Sequence, residues 1–187
     1  MSTTTINPFL TEAMINAHLE RTQKHIGSVQ RMGYYLVRSL HTINEHGQLA
    51  IQLSEAIRKH DQSKYSAAEF IPYVWLTASY ASGDRHNFKL PFGMKARITD
   101  AIQHHYDENP HHPEHWGDNL ADMGLPSMAE MVCDWAAMST EKNGGVYASP
   151  LPFYKNAMNS ATRNWNFTLK QRERIEWLIV ILDTAHP

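Results

Sequence analysis

Apolar side chains recur along this 187-residue chain at steps of three and four, the spacing that lines one face of an α-helix. Ile15, Leu19, Ile26, Val29, Met32, Leu36 and Leu40 mark one long helix over 11–41. Gly47 interrupts it, and Leu49, Leu53, Ala56 and Ile57 form the stripe of a second helix over 48–61. Ser66 and Glu69 have capping-box spacing and predict a third helix that carries Phe70, Val74 and Leu76. Gly83, Pro91 and Gly93 place a loop over 82–93. Met94, Ile98, Ala101 and Ile102 are the inward positions of a helix over 94–106, and 109–124 reads as an ordered loop. Ser127 with Glu130 opens a helix running to about Thr140, and 143–166 reads as irregular from its Gly, Pro and Asn content. Thr168 with Gln171 caps a last helix that ends near Leu182. No alternating strand pattern and no repeat interrupts this reading. The expected fold is all-α, a single-domain helical bundle of about six helices over 1–187. Its motif-bearing core lies at about 21–140, and 143–187 supplies the irregular segment and final helix.

The polar residues that share the apolar stripes are the informative ones. His25 precedes Val29 by one helical turn, His60 continues the Leu49, Leu53, Ala56 stripe, and His105 continues Met94, Ile98, Ala101. Asp134 falls between Met131 and Met138. A buried neutral imidazole needs only a hydrogen-bond partner, but an unpaired buried carboxylate costs several kcal/mol, so it calls for a cation. Neither Asp61 nor Asp134 has an Arg or Lys on its own face. A shared divalent cation satisfies all of these groups together.

Composition narrows the class further. Hydrophobic residues are 42% and charged residues 19%, ordinary for a folded globular chain, and the net charge of −2 gives no general affinity for nucleic acid or an anionic membrane. The one cysteine, Cys133, excludes an intramolecular disulfide and reads as a small buried hydrophobe. The N-terminus lacks a signal-peptide pattern, and the longest apolar run, Trp177 to Leu182, is too short to span a bilayer. The expected location is the cytoplasm. Of the 12 histidines, His104, His105, His111, His112 and His115 crowd into one short stretch. His18, His41 and His46 are expected to face solvent, and Tyr34, Tyr35 and the methionines to pack in the core.

His25, the adjacent His60-Asp61 pair and the distant Asp134 together resemble the H…HD…D signature of the HD-domain metal-dependent phosphohydrolase superfamily. His60-Asp61-Gln62-Ser63-Lys64 is similar to the HD-x-x-K form of its cyclic-dinucleotide branch, and His104-His105 to that branch's paired histidines. The segment Cys133-Asp134-Trp135-Ala136-Ala137-Met138-Ser139 resembles the one that carries the family's last aspartate. The glycine-tyrosine-proline loop of the cyclic-dinucleotide enzymes is absent, and His86 is the only histidine between the two dipeptides. The HD-x-S-K segment and the Asn109-Pro110-His111-His112-Pro113-Glu114 motif look most like an uncharacterised phage and bacterial branch.

The resemblance implies a divalent transition metal (Mn, Fe, Co, Ni or Zn), as one or two ions, held among His25, His60, Asp61, His104, His105, His112 and Asp134. It also implies that Asp61 and Lys64 serve catalysis, and that Lys64, His111 and His115 contact a small phosphoester or nucleotide. Glu114 is expected to orient a neighbouring imidazole. A di-iron oxygenase with the same ligands, and a non-enzymatic protein whose metal only supports the fold, are the alternatives. No membrane partner is expected, nucleic acid is not favoured, and a homo-oligomer is open.

Overall fold

A computed structural model describes residues 9–43, 46–163 and 165–186. Among them the chain forms α1 Glu12–Thr42, α2 Gly47–Lys59, α3 Phe70–Ala81, α4 Met94–Glu108, α5 Pro113–Trp116, α6 Leu125–Lys142, α7 Leu151–Met158 and α8 Leu169–Ala185. Two 3-10 segments, Gln62–Tyr65 and Gly117–Asp122, complete the set, and the described residues hold no strand. The fold is all-α. Eight helices replace the expected six because α5 has 4 residues and α7 has 8, too few for an apolar period to register. Residues 109–124 are accordingly α5 and a 3-10 segment rather than loop alone, and 143–166 contains α7.

The chain divides into two units, residues 1–24 with 61–108 and residues 25–60 with 109–187. In the second, Val29, Met32, Leu36 and Leu40 of α1 join Leu49, Leu53 and Ile57 of α2 and Ile175, Leu178, Ile179 and Leu182 of α8 in one core. All but two of these side chains are fully enclosed, which is where an α-helical domain gains most of its stability. Gly33 is required on α1, since a Cβ there would meet the Ile57 side chain at 2.7 Å. α6 is buried on every side from Met128 to Ala137. A helix apolar all round is a central helix, and any acid on it must find an internal partner. Glu130 and Asp134, four residues apart, share one face of it. In the first unit α3 and α4 enclose a smaller core of Trp75, Met94 and Ile98, against which Ile71, Phe88 and Ile102 pack.

Of the three capping boxes expected, one forms. Thr168 Oγ1 accepts from the Gln171 backbone N–H at 3.2 Å, and the Thr168 N–H donates back to Gln171 Oε1 at 3.0 Å. The Gln171 amide also donates to the Leu120 carbonyl at 2.8 Å, tying α8 to the 3-10 segment before it. The other two boxes do not form. α3 starts after Glu69 and α6 after Gly124, and neither N-cap residue makes a side-chain cap bond. Glu69 and Glu130 are instead buried and hydrogen-bonded to histidines. The Ser-x-x-Glu pattern is local, and an acid that can reach an imidazole inside a dry core gains more there than at an exposed helix start.

His18 is 1% exposed rather than solvated. It lies on α1 with its Nδ1 3.2 Å from Thr77 Oγ1 and its ring edge-on to Phe70. Burial, reinforced by the positive charges of Lys64 and Arg21, pulls its pKa from 6.5 down to about 4. The folded state therefore holds His18 neutral, and the unfolded chain takes up its proton first. The stability this contributes is complete above about pH 6.5 and is lost as pH falls toward 4, to the extent of about 3 kcal/mol. Urea midpoints at pH 7 and pH 4.5, both with chelator, are expected to differ less in His18→Asn than in the wild type. Equal differences would remove His18 from the acid response.

Candidate metal centre

The second unit gathers its ligand-type side chains along the side of α6 that carries Glu130 and Asp134. Glu130 is 5% exposed and its Oε1 accepts from two imidazoles, His60 Nδ1 at 2.9 Å and His111 Nδ1 at 3.2 Å. His60 is the C-cap of α2, where the helix ends and its ring is delivered inward. His111 precedes α5, which Pro113 initiates. The two rings lie with centroids 4.4 Å apart. A neutral histidine that donates from Nδ1 carries its lone pair on Nε2, so the shared carboxylate fixes both rings in the tautomer a metal takes. Burial alone pushes Glu130 upward, but the hydrogen bonds from His111 and His60 outweigh it, and its pKa falls to about 2.

One turn further along α6, Asp134 Oδ1 lies 3.1 Å from His25 Nε2. The other nitrogen of His25 is 3.0 Å from Glu141 Oε1. Burial works to raise Asp134, yet the hydrogen bond from His25 holds it well below the usual carboxylate range. Among the described residues no Arg or Lys pairs with it, as its sequence setting implies. The His25 and His60 ring centroids are 5.6 Å apart.

The donor atoms of His60, His111 and Glu130 all lie within 4.8 Å of one another, and all three residues are buried. Ligands bound about 2.1 Å from one cation stand about 3.0–3.4 Å apart, which the His25–Asp134 spacing matches. Buried His, Asp and Glu groups of this kind fit a divalent metal ion. His112 is half-buried and packs on His111 at 4.3 Å, while His115 is exposed and lies edge-on to Trp116. Glu114 turns to Trp165, accepting from its indole N–H at 3.3 Å. Cys133 is fully enclosed and its thiol is pushed up by burial, so it serves as packing.

The first unit brings together Asp61, Lys64, His104 and His105. Asp61 follows His60 directly and takes φ 56°, the one left-handed non-glycine residue among those described. That turn starts the 3-10 segment Gln62–Tyr65 and folds Lys64 back, so its Nζ pairs with Asp61 Oδ2. The absence of a lysine on the helical face of Asp61 is thus corrected by geometry: Asp61 lies beyond the end of α2, and a tight turn brings the cation. Left-handed backbone in a buried acid marks a position held by its surroundings. Asp61 Oδ1 lies 3.3 Å from His105 Nε2.

Glu69, fully buried, anchors both paired histidines: His104 Nδ1 is 2.8 Å from Oε1 and His105 Nδ1 is 3.0 Å from Oε2. Burial raises Glu69, but the bonds from His105, His104 and Ser63 bring it below its ordinary value. Burial lowers His105, but the bonds to Asp61 and Glu69 leave its pKa raised. His86 is exposed and lies in the 82–93 loop, outside these histidine–carboxylate groups. Glu69, Glu130 and Glu141, which pairs with His25, are acids of these groups that sequence reasoning missed. For Glu69 and Glu130 the signal was an acid at helical spacing from apolar neighbours, masked by a serine three residues before each.

The model of a family of unknown function, DUF5662, matches residues 14–181, which take in both groups of histidines and acids. The chain belongs to this family. No curated protein and no solved structure matches it. Among the described residues no helix is long and apolar enough to cross a membrane.

Proposed function

We propose that this DUF5662 chain is a metal-dependent phosphohydrolase acting on a nucleotide or another small phosphoester. The observation that carries the reading is the buried pair of histidines, His60 and His111, oriented by one ionised glutamate beside the His25–Asp134 pair. The order His25, His60-Asp61, Asp134 along the chain supports it through its resemblance to the HD superfamily. His25, His60, His111 and Asp134 would hold the ion; the sequence resemblance gives Asp61, the residue after His60, as the further acid of the HD pattern. A cation bound there would activate a water and neutralise charge on the phosphoryl oxygens.

The residues of the chain supply the rest. Glu130 keeps both rings in one tautomer and orientation, as an outer carboxylate does for a ligating histidine. Asp134, which the His25 hydrogen bond holds below the usual carboxylate range, would meet the ion as a carboxylate. Lys64, whose side chain is 18% exposed, offers a point charge for a phosphate oxygen and is held in place by Asp61. His115, exposed on α5, would meet substrate from solvent in this reading, whereas His111, bonded to Glu130, would act as a ligand.

The test is phosphate or phenolate release from nucleotides and aryl phosphate mono- and diesters by protein loaded with Mn²⁺, Co²⁺ or Zn²⁺. Turnover is expected that chelator abolishes and that Asp134→Ala lowers by at least about a hundredfold. Absence of turnover by metal-loaded protein across that panel would overturn the reading, and oxygen consumption by an iron-loaded sample would replace it with oxygenase chemistry.

A further inference from the structure

The first unit carries a recess of about 570 Å³ that the histidine–carboxylate groups do not use. It opens between the 82–93 loop and the facing sides of α3 and α4, and its volume is that of a small-molecule site. Phe88, Ile98 and Ile102 give it an apolar wall, which is the outer side of the core built on Trp75 and Met94. Arg85, Lys95 and His86 line it as well, and among the described residues no carboxylate does.

The surrounding polar groups sharpen this asymmetry. Asp84, next to Arg85, is occupied by Asn87, whose backbone N–H and side-chain amide donate to its two oxygens at 3.3 and 2.7 Å. Ser79 donates its hydroxyl proton to the Leu76 carbonyl at 2.8 Å, and Thr99 donates to the Lys95 carbonyl at 3.2 Å. Of the lining side chains, then, Arg85, Lys95 and His86 are the donors that face a ligand, and two of them are cations. The Arg85 guanidinium lies 4.3 Å from the centre of the Tyr80 ring, a contact that restrains a side chain that would otherwise be mobile. His86 thus has a place in the chain outside the metal centre.

We propose that this recess binds a small amphipathic anion, a hydrocarbon or aryl body with one carboxylate or phosphate head. The body would cover Phe88, Ile98 and Ile102, and the head would meet Arg85 and Lys95. Apolar burial supplies the affinity, and the charge-assisted contacts select the anion over a neutral analogue. The inference stands apart from the hydrolase reading and needs no metal.

Isothermal titration of the full chain with decanoate, decyl phosphate, decanol and inorganic phosphate tests it. Saturable binding at one equivalent is expected from at least one of the two ten-carbon anions, and their comparison identifies the preferred head group. Decanol and inorganic phosphate are each expected to bind at least about tenfold more weakly. Arg85→Ala combined with Lys95→Ala is expected to weaken anion binding at least about tenfold, and Thr99→Trp, which fills the recess from an exposed position, to abolish it. Circular dichroism and metal content unchanged in these variants would show that folding is not the cause. Anion binding equal in all variants, inorganic phosphate binding as tightly as the amphiphiles, or no saturation by either anion below about 1 mM would overturn the proposal.

Discussion

Replacing Glu130 by alanine is expected to destabilise the protein by about 3–5 kcal/mol, the loss typical of removing one partner from a buried charged pair. The Glu130 carboxylate accepts from His60 at 2.9 Å and His111 at 3.2 Å inside a region closed to water. Its removal leaves two ring N–H groups without their acceptor and opens a gap on the central helix, and each loss adds to the other. Glu130→Gln keeps the volume and one acceptor oxygen, so less than half of that loss is expected. Because the carboxylate also sets the tautomer of both rings, either variant is expected to lower metal affinity about 10- to 100-fold. Urea denaturation of the metal-free forms separates stability from binding. A loss below about 1 kcal/mol for Glu130→Ala would show that the two histidines do not depend on it.

Asp61→Ala is expected to cost about 3 kcal/mol for a different combination of reasons. Asp61 pairs with Lys64 and with His105, and alanine leaves both without that partner. Its φ of 56° adds to the loss, since alanine at a left-handed position costs about 1–2 kcal/mol where asparagine or aspartate is tolerated. Asp61→Asn is therefore expected to recover about 1 kcal/mol of the loss while still lacking the charge. The same two variants distinguish the roles of the side chain. If Asp61 acts in phosphoester hydrolysis, both lose turnover although their stabilities differ. Equal stability of the alanine and asparagine variants would show that the turn relaxes freely and stores no strain.

The long helices and the inward histidines were legible in the chain because an apolar stripe fixes the phase of a helix. A residue in register with Leu49 and Leu53, or with Met94 and Ile98, must point the same way. His60, His105 and Asp134 follow that rule, and all three are buried. The rule fails where no helix sets the phase. Asp61 lies past the end of α2, so nothing in its spacing announced a left-handed turn or the return of Lys64. His18 is polar and sits among mixed neighbours near the start of α1, and only the packing of Phe70 and Thr77 against it reveals its burial.

Glu69 and Glu130 illustrate a different limit. Serine followed three residues later by glutamate is a sound signal for a helix start, and at Thr168–Gln171 the equivalent pattern forms the expected box. At the other two positions tertiary partners compete, and sequence spacing carries no information about a histidine 70 residues away, the separation of His60 from Glu130. The short helix α7 was missed for a related reason, since 8 residues starting with a Leu-Pro step do not distinguish themselves from a loop.

Elemental analysis of the purified chain beside its His60→Ala and Asp134→Ala variants is the most direct check on the metal centre. The wild-type protein is expected to hold about one or two equivalents of Mn, Fe, Co, Ni or Zn, taken up on expression or on reconstitution. Both variants are expected to lose most of that metal while keeping their helical circular dichroism. Wild-type protein that remains metal-free after reconstitution with all five ions, or variants that bind as much as wild type, would contradict the assignment and leave the buried histidines and acids as a hydrogen-bonded core alone.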